Sequence, residues 1–177
     1  MADMTSSDLV IDPVRRQRYR FTEADGDLTA EVWTDPGGDV PEHFHPAQTE
    51  RWEVVTGQVT FRIDGTRRRA GPGDSVLAPA GIRHSFKNTG TVEALLNVHV
   101  SPALDLRAFL EEAAALARAG KFNRHSIPHG LAAAGEIADL AERYQHTTVI
   151  CQPPLRLQHL ILPRLAARHR RQIAGTR

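Results

Sequence analysis

Gly37-Gly38-Asp39-Val40-Pro41-Glu42-His43-Phe44-His45-Pro46-Ala47-Gln48-Thr49-Glu50-Arg51-Trp52-Glu53-Val54-Val55-Thr56-Gly57 is the part of the chain from which both the architecture and the chemistry can be read. Residues two apart on a strand point to the same face, so His43 and His45 project together into whatever that face encloses. Pro46 belongs to a short connection, after which Glu50 opens the next strand, Glu50 to Val55. Downstream, Gly73-Asp74-Ser75-Val76-Leu77-Ala78-Pro79-Ala80-Gly81-Ile82-Arg83-His84-Ser85-Phe86-Lys87-Asn88 places His84 at the start of a further segment, after the turn Pro79-Ala80-Gly81. Three neutral imidazoles and one carboxylate converging in a barrel interior suit a first-row divalent ion: Fe, Mn, Ni, Co or Zn. Buried together without a cation, they would be costly.

The first stretch has the form Gly-x5-His-x-His-x4-Glu-x6-Gly, filled by Gly37, His43, His45, Glu50 and Gly57. The second has the form Gly-x5-Pro-x-Gly-x2-His-x3-Asn, filled by Gly73, Pro79, Gly81, His84 and Asn88. At these positions the sequence resembles the cupin superfamily, whose two characteristic motifs have these spacings. The resemblance covers about residues 28 to 101. It implies a mainly β fold, a single cupin double-stranded β-helix or jelly-roll barrel, holding one divalent transition metal on His43, His45, Glu50 and His84. The glycines and Pro79 shape turns that need a positive or a fixed φ. Asn88 reads as a turn residue bonded to its own backbone rather than a ligand.

Outward from the motifs, Arg16 to Thr22 and Leu28 to Thr34 read as strands separated by Ala24-Asp25-Gly26-Asp27. From Trp52 to Val100 short strands are broken at Thr56-Gly57, Asp64-Gly65, Gly71-Pro72-Gly73, Pro79-Ala80-Gly81 and Thr89-Gly90, the punctuation of a β-sandwich or barrel. Val59, Phe61 and Ile63 alternate with polar residues into Asp64-Gly65, a strand entering a tight hairpin whose tip carries Arg67, Arg68 and Arg69.

After Pro102 the texture becomes helical. Asp105 can cap a helix through Leu106, Phe109, Leu110, Ala113, Leu116 and Ala117 that stops at Gly120. A second helix is expected from Leu131 to Tyr144, and a third from about Leu155 to His169, bent or broken in two by Pro163. The expected organisation is therefore a partly ordered tail over 1–14, a barrel domain over 15–102, and a helical C-terminal extension over 103–177. The apolar stripe of Leu106, Phe109, Leu110 and Leu116 must be covered, so the extension should pack on the barrel or on a dimer partner.

Trp52 and Val54 share the parity of Glu50, and Phe86 that of His84, so these three are candidate pocket residues around the metal. Asn97 and His99 share one face of the strand Val92 to Val100, and His99 is a candidate contact to substrate or to a ligand. His125 and His129 read as solvated loop residues. Cys151, the single cysteine, has no internal disulfide partner and reads as an inert core thiol in a reducing compartment.

Lys plus Arg number 22 against 21 for Asp plus Glu, a net charge of +1 that provides no global field for nucleic acid or an anionic membrane. The basic clusters Arg15 to Arg20, Arg67 to Arg69 and Arg168 to Arg171 are scattered, as solvated charge rather than a nucleic-acid footprint. With no secretory signal pattern and no apolar run of about 18 residues, a cytoplasmic protein without a membrane partner is expected. The partner expected is a small molecule.

The barrel hosts many reactions, so the ligand set does not name one. The leading reading is an enzyme on a chelating enol, diol or hydroxyketone, dioxygenase-like first and isomerase- or cyclase-like second, with Glu50 as the catalytic proton carrier. A non-enzymatic binding or sensing cupin is the alternative, and a scaffold is a third. A homodimer is expected, because cupins often pair through their sheets.

Overall fold

The computed structural model describes residues 9–175. The chain runs through β1 (Val10–Asp12), β2 (Gln17–Ala24), β3 (Asp27–Thr34), β4 (Asp39–Phe44), β5 (Thr49–Thr56), β6 (Val59–Ile63), β7 (Thr66–Ala70), β8 (Ser75–Ala78), β9 (His84–Asn88) and β10 (Ala94–Ser101). It continues as α1 (Leu106–Arg118), α2 (Leu131–Arg143), β11 (Val149–Ile150) and α3 (Leu155–Ala174). Strand neighbours are antiparallel throughout, in two sheets of order β1-β2-β3-β10-β5-β8 and β11-β4-β9-β6-β7. This is the mainly β jelly-roll arrangement expected from the motifs, with three helices after it.

Alternation places the core between the sheets. Leu28, Ala30 and Val32 of β3, Trp52 and Val54 of β5, Val59 and Phe61 of β6, and Ala94, Leu96, Val98 and Val100 of β10 are all buried in one cluster. Full burial of side chains of this size stabilises by roughly 1.5–3 kcal/mol each. Two hairpins close on Asp-Gly pairs in which both residues have positive φ, Asp25-Gly26 (54° and 82°) and Asp64-Gly65 (46° and 78°). That geometry matches the strand twist. Gly57 is required on two counts: its φ is +80°, and a Cβ there would lie 2.7 Å from Ala94 Cα.

Several elements depart from the sequence reading. Within the segment read as a tail, Val10–Asp12 pairs with Tyr19–Gln17 as an edge strand, and buried Asp12 accepts from the Val14 and Arg15 amides at 2.9 Å each. Residues 1–8 of that tail lie outside the described residues. Asp105 stands at the head of α1 without a side-chain cap, because its carboxylate pairs with His146 Nε2 at 2.9 Å. α3 runs unbroken through Pro163 to Ala174.

The segment after residue 102 does more than cover the barrel. Ala103 and Leu106 join the barrel core, with Phe109 and Leu110 packed against it. Between α2 and α3 the chain returns to the barrel, where β11 pairs with β4 (Val149 with Phe44, Ile150 with His43). The last two helices pack closely at Gly135, where a Cβ would come within 2.9 Å of the His169 Cβ. Among the described residues, no helix is long and apolar enough to cross a membrane.

Candidate metal centre

Both sheets contribute to the cluster. His43 near the end of β4 lies directly opposite His84 at the start of β9. His45 follows β4, and Glu50 faces inward from β5 in the other sheet. One potential ligand atom from each of the four buried residues lies within 4.8 Å of all the others. His43 Nε2 is 3.1 Å from His84 Nε2, while Glu50 Oε2 is 3.0 Å from His45 Nε2 and 3.1 Å from His84 Nε2.

The hydrogen bonds behind the rings fix what these atoms can do. Each Nδ1 sits against a backbone carbonyl: His43 on Pro41 O at 2.9 Å, His45 on Thr147 O at 2.6 Å, and His84 on Ile82 O at 2.8 Å. A carbonyl only accepts, so each Nδ1 carries the proton, and in the neutral rings each Nε2 presents a lone pair to the common centre. Three lone pairs and a carboxylate then face one another in a buried space. A divalent cation satisfies all four donors at once, and the chemistry of the set therefore fits a metal ion.

The electrostatics agree. Burial, then the neighbouring His84 and His45, hold His43 well below the usual imidazole range, which keeps it neutral. Burial would lower His45 too, but the hydrogen bond and charge of Glu50, with the Thr147 carbonyl, raise it. Burial would raise the Glu50 carboxyl, yet in the metal-free site its contacts with the His45 and His84 rings, whose Nε2 atoms face it, outweigh burial and keep the carboxyl well below the usual carboxylate range.

The cluster opens on a cavity of about 700 Å³ walled by Leu28, Ala30, Val32, Trp52, Phe86 and Val98 from the barrel, by Phe109 and Leu110 from α1, and by Ile137, Leu162 and Leu165 from α2 and α3. Trp52 stands edge-on to His84, ring centroids 5.2 Å apart, and its Nε1 has no hydrogen-bond partner among the described residues.

Residues 31–100 match the family model of the cupin domain. Over these residues the barrel is a cupin domain. Over 67 residues the chain is 37% identical to "Protein SchB" of Streptomyces halstedii, a match covering 38% of this chain and 49% of that one. Over the same length it is 34% identical to "Polyketide synthase CurC" of Streptomyces cyaneus, covering 38% and 44%. The chain thus spans about half the length of the curated relatives it matches. Among solved structures, an RmlC-like cupin from Shewanella frigidimarina superposes with a TM-score of 0.52 at 19% identity, covering 59% of this chain and 93% of that one, which is a likeness of fold.

Of the four residues read as lining the cupin pocket, Trp52 and Phe86 do so. Val54 points inward but lies in the hydrophobic core, two residues further from the metal cluster along β5. His99 is on the outer face of β10, half-exposed, with Nε2 3.2 Å from Asp27 Oδ2. The inward parity on that strand belongs to Val98 and Val100, and it leaves His99 away from the cluster. Asn88 secures its turn, donating to Thr34 O and Val92 O and accepting from the Gly90 amide. Cys151 is buried, and burial pushes its thiol up.

Two participants were not singled out in the sequence. Thr147 supplies the carbonyl that holds His45, and Gln48, fully buried between His45 and Glu50 in sequence, bonds the Thr147 hydroxyl at 2.7 Å. Their meeting links residues about a hundred positions apart, which no local spacing signals.

Proposed function

We propose that this cupin is a metal-dependent enzyme acting on a small apolar metabolite that chelates through an enol, diol or hydroxyketone, of the oxygen-rich kind that polyketide chemistry produces. The observation that carries the reading is a cluster of four buried metal-type donors, three of which (His43, His45 and Glu50) stand in the wall of an apolar cavity of about 700 Å³. A mostly apolar body with one chelating edge matches that cavity, since the walls provide burial and the cluster provides the polar anchor. The relatives with polyketide synthase names support the substrate class.

When bound, a divalent Fe, Mn, Ni, Co or Zn ion would supply Lewis-acid polarisation and, with a redox-active ion, dioxygen chemistry. His43, His45 and His84 would hold it through Nε2. With the three Nε2 lone pairs committed to the ion, Glu50 would be the group of the four left to accept a proton, and its position opposite the histidines lets it take one from an enol or hydroxyl during isomerisation or ring closure. Trp52 and Phe86 exclude water and fix the plane of the substrate. Oxygen insertion on the same enol is the leading reaction and ring closure the second. The reading includes a cytoplasmic homodimer, supported by the buried lone Cys151 and by the apolar residues Leu157 and Leu160 left exposed on α3.

The test is to offer metal-loaded protein aromatic enols, diols and hydroxyketones with and without oxygen. Consumption of one class, abolished in Glu50→Gln, supports the proposal. Metal-loaded protein that neither binds nor converts any of these classes refutes it.

A further inference from the structure

Gln48 and Thr147 are both fully buried, and every polar atom of their side chains is hydrogen-bonded. Gln48 Nε2 donates to Pro102 O at 3.0 Å and to Ala103 O at 2.7 Å, where the chain leaves the barrel for α1. Its Oε1 accepts from Thr147 Oγ1 at 2.7 Å. Thr147 is held at its other end by its amide, which donates to Tyr144 O at 2.9 Å at the close of α2. Its carbonyl is then left with one task, accepting His45 Nδ1–H at 2.6 Å. The neighbouring Thr148 hydroxyl lies 3.3 Å from the same nitrogen, and two residues on β11 pairs with the strand that carries His43.

His45 differs in this from the other two histidines. Their Nδ1 partners, Pro41 O on β4 and Ile82 O just before β9, lie two residues earlier in the chain, so local backbone geometry orients those rings. His45 has no such local partner. It is oriented by a carbonyl 102 positions away, on the segment joining α2 to β11.

We infer that Gln48 and Thr147 are positioning residues for the metal centre: together they hold the 144–150 connection so that its carbonyl sets the tautomer and direction of His45. The inference rests on the metal-site reading above. A partner behind a ligating imidazole fixes the ring and raises its basicity, and losing one commonly costs about 10–100-fold in metal affinity. Here that partner is supplied by the C-terminal segment, which makes the extension part of the metal centre as well as the cavity's cover.

The probe is Co(II), titrated into metal-free full-length protein and followed by its visible absorption, which reports the ligand field, alongside the melting temperature of the metal-free form. Thr147→Val removes the hydroxyl at nearly constant volume, Thr147→Ala removes it without placing a methyl against Gln48 so that at least one variant folds, and Thr147→Ser keeps it. The inference expects Co(II) binding weakened tenfold or more, with an altered spectrum, in the Val or Ala variant, and wild-type affinity and spectrum in the Ser variant. A lowered melting temperature with unchanged Co(II) affinity and spectrum would reduce the pair to a structural role and overturn the inference. Wild-type protein that binds no Co(II) would overturn the metal-site reading itself, a distinct outcome.

Discussion

Protons should compete with the metal at one ligand in particular, His45. In the metal-free protein its Nδ1 faces Thr147 O and its Nε2 faces the Glu50 carboxylate, so both nitrogens can carry hydrogen and Glu50 raises its pKa. His43 is held neutral by burial. Because His45 is raised above its ordinary value of about 6.5, the stability it lends the metal-free fold is complete below about pH 6.5 and is lost as the pH climbs through the raised value. Metal binding must expel that proton, so loading should release protons as the pH falls below about 6.5, up to one per ion. Apparent affinity should then fall about tenfold, or ~1.4 kcal/mol, for each unit the pH drops through this range. At a free metal concentration of ~100 Kd the ion stabilises the fold by ~2.7 kcal/mol. At roughly 2–4 °C per kcal/mol for a chain of this size, the gap in melting temperature between loaded and chelated protein should shrink by about 3–6 °C per pH unit of acidification. Calorimetric titration in buffers of different ionisation enthalpy counts the protons directly. Binding below about pH 6.5 with no proton released, and a melting gap independent of pH, would refute the assignment of the proton to His45.

Glu50→Gln should retain the fold and part of the metal, since the amide oxygen still coordinates, while turnover of a chelating substrate is lost; full activity by a direct assay would remove Glu50 from the chemistry. Deletion of residues 103–177 should give aggregated protein or a changed oligomeric state by light scattering, because it strips Leu106 from the barrel core, β11 from β4 and the Thr147 carbonyl from His45; a well-behaved monomer of unchanged melting temperature would contradict this. Leu106→Ala, at a residue only 4% exposed, should cost about 2–4 kcal/mol in denaturant unfolding, and a loss under about 0.5 kcal/mol would show that α1 is not anchored there.

What the sequence disclosed and what it hid divide along physical lines. The cluster of His43, His45, Glu50 and His84 was legible because strand periodicity is local: a His-x-His pair at the end of one strand and a glutamate of fixed parity on the next share an interior once the strands fold over. The same periodicity could not say which side of β10 faces inward, and His99 went to the outer face because Val98 and Val100 took the core. Val10 to Asp12 look too short to pair in a segment otherwise read as a polar tail, and become a strand because the edge of β2 and the face of α1 lie beside them. Asp105 is a good cap in isolation, but a tertiary partner, His146, claims its carboxylate. Pro163 leaves α3 unbroken, since that helix has α2 to pack against. Gln48 and Thr147 were invisible for the same reason, because their roles exist only after the extension has returned to the barrel.

Elemental analysis of protein produced in metal-supplemented medium tests most directly whether the cluster holds an ion. Wild type should carry about one divalent first-row metal per chain, and His43→Ala, His45→Ala and His84→Ala should each carry far less, because every one removes a Nε2 donor from a set of four. Wild type without metal, or His84→Ala with as much as wild type, would contradict the central claim and leave the cluster a buried hydrogen-bonded group in a cupin shell.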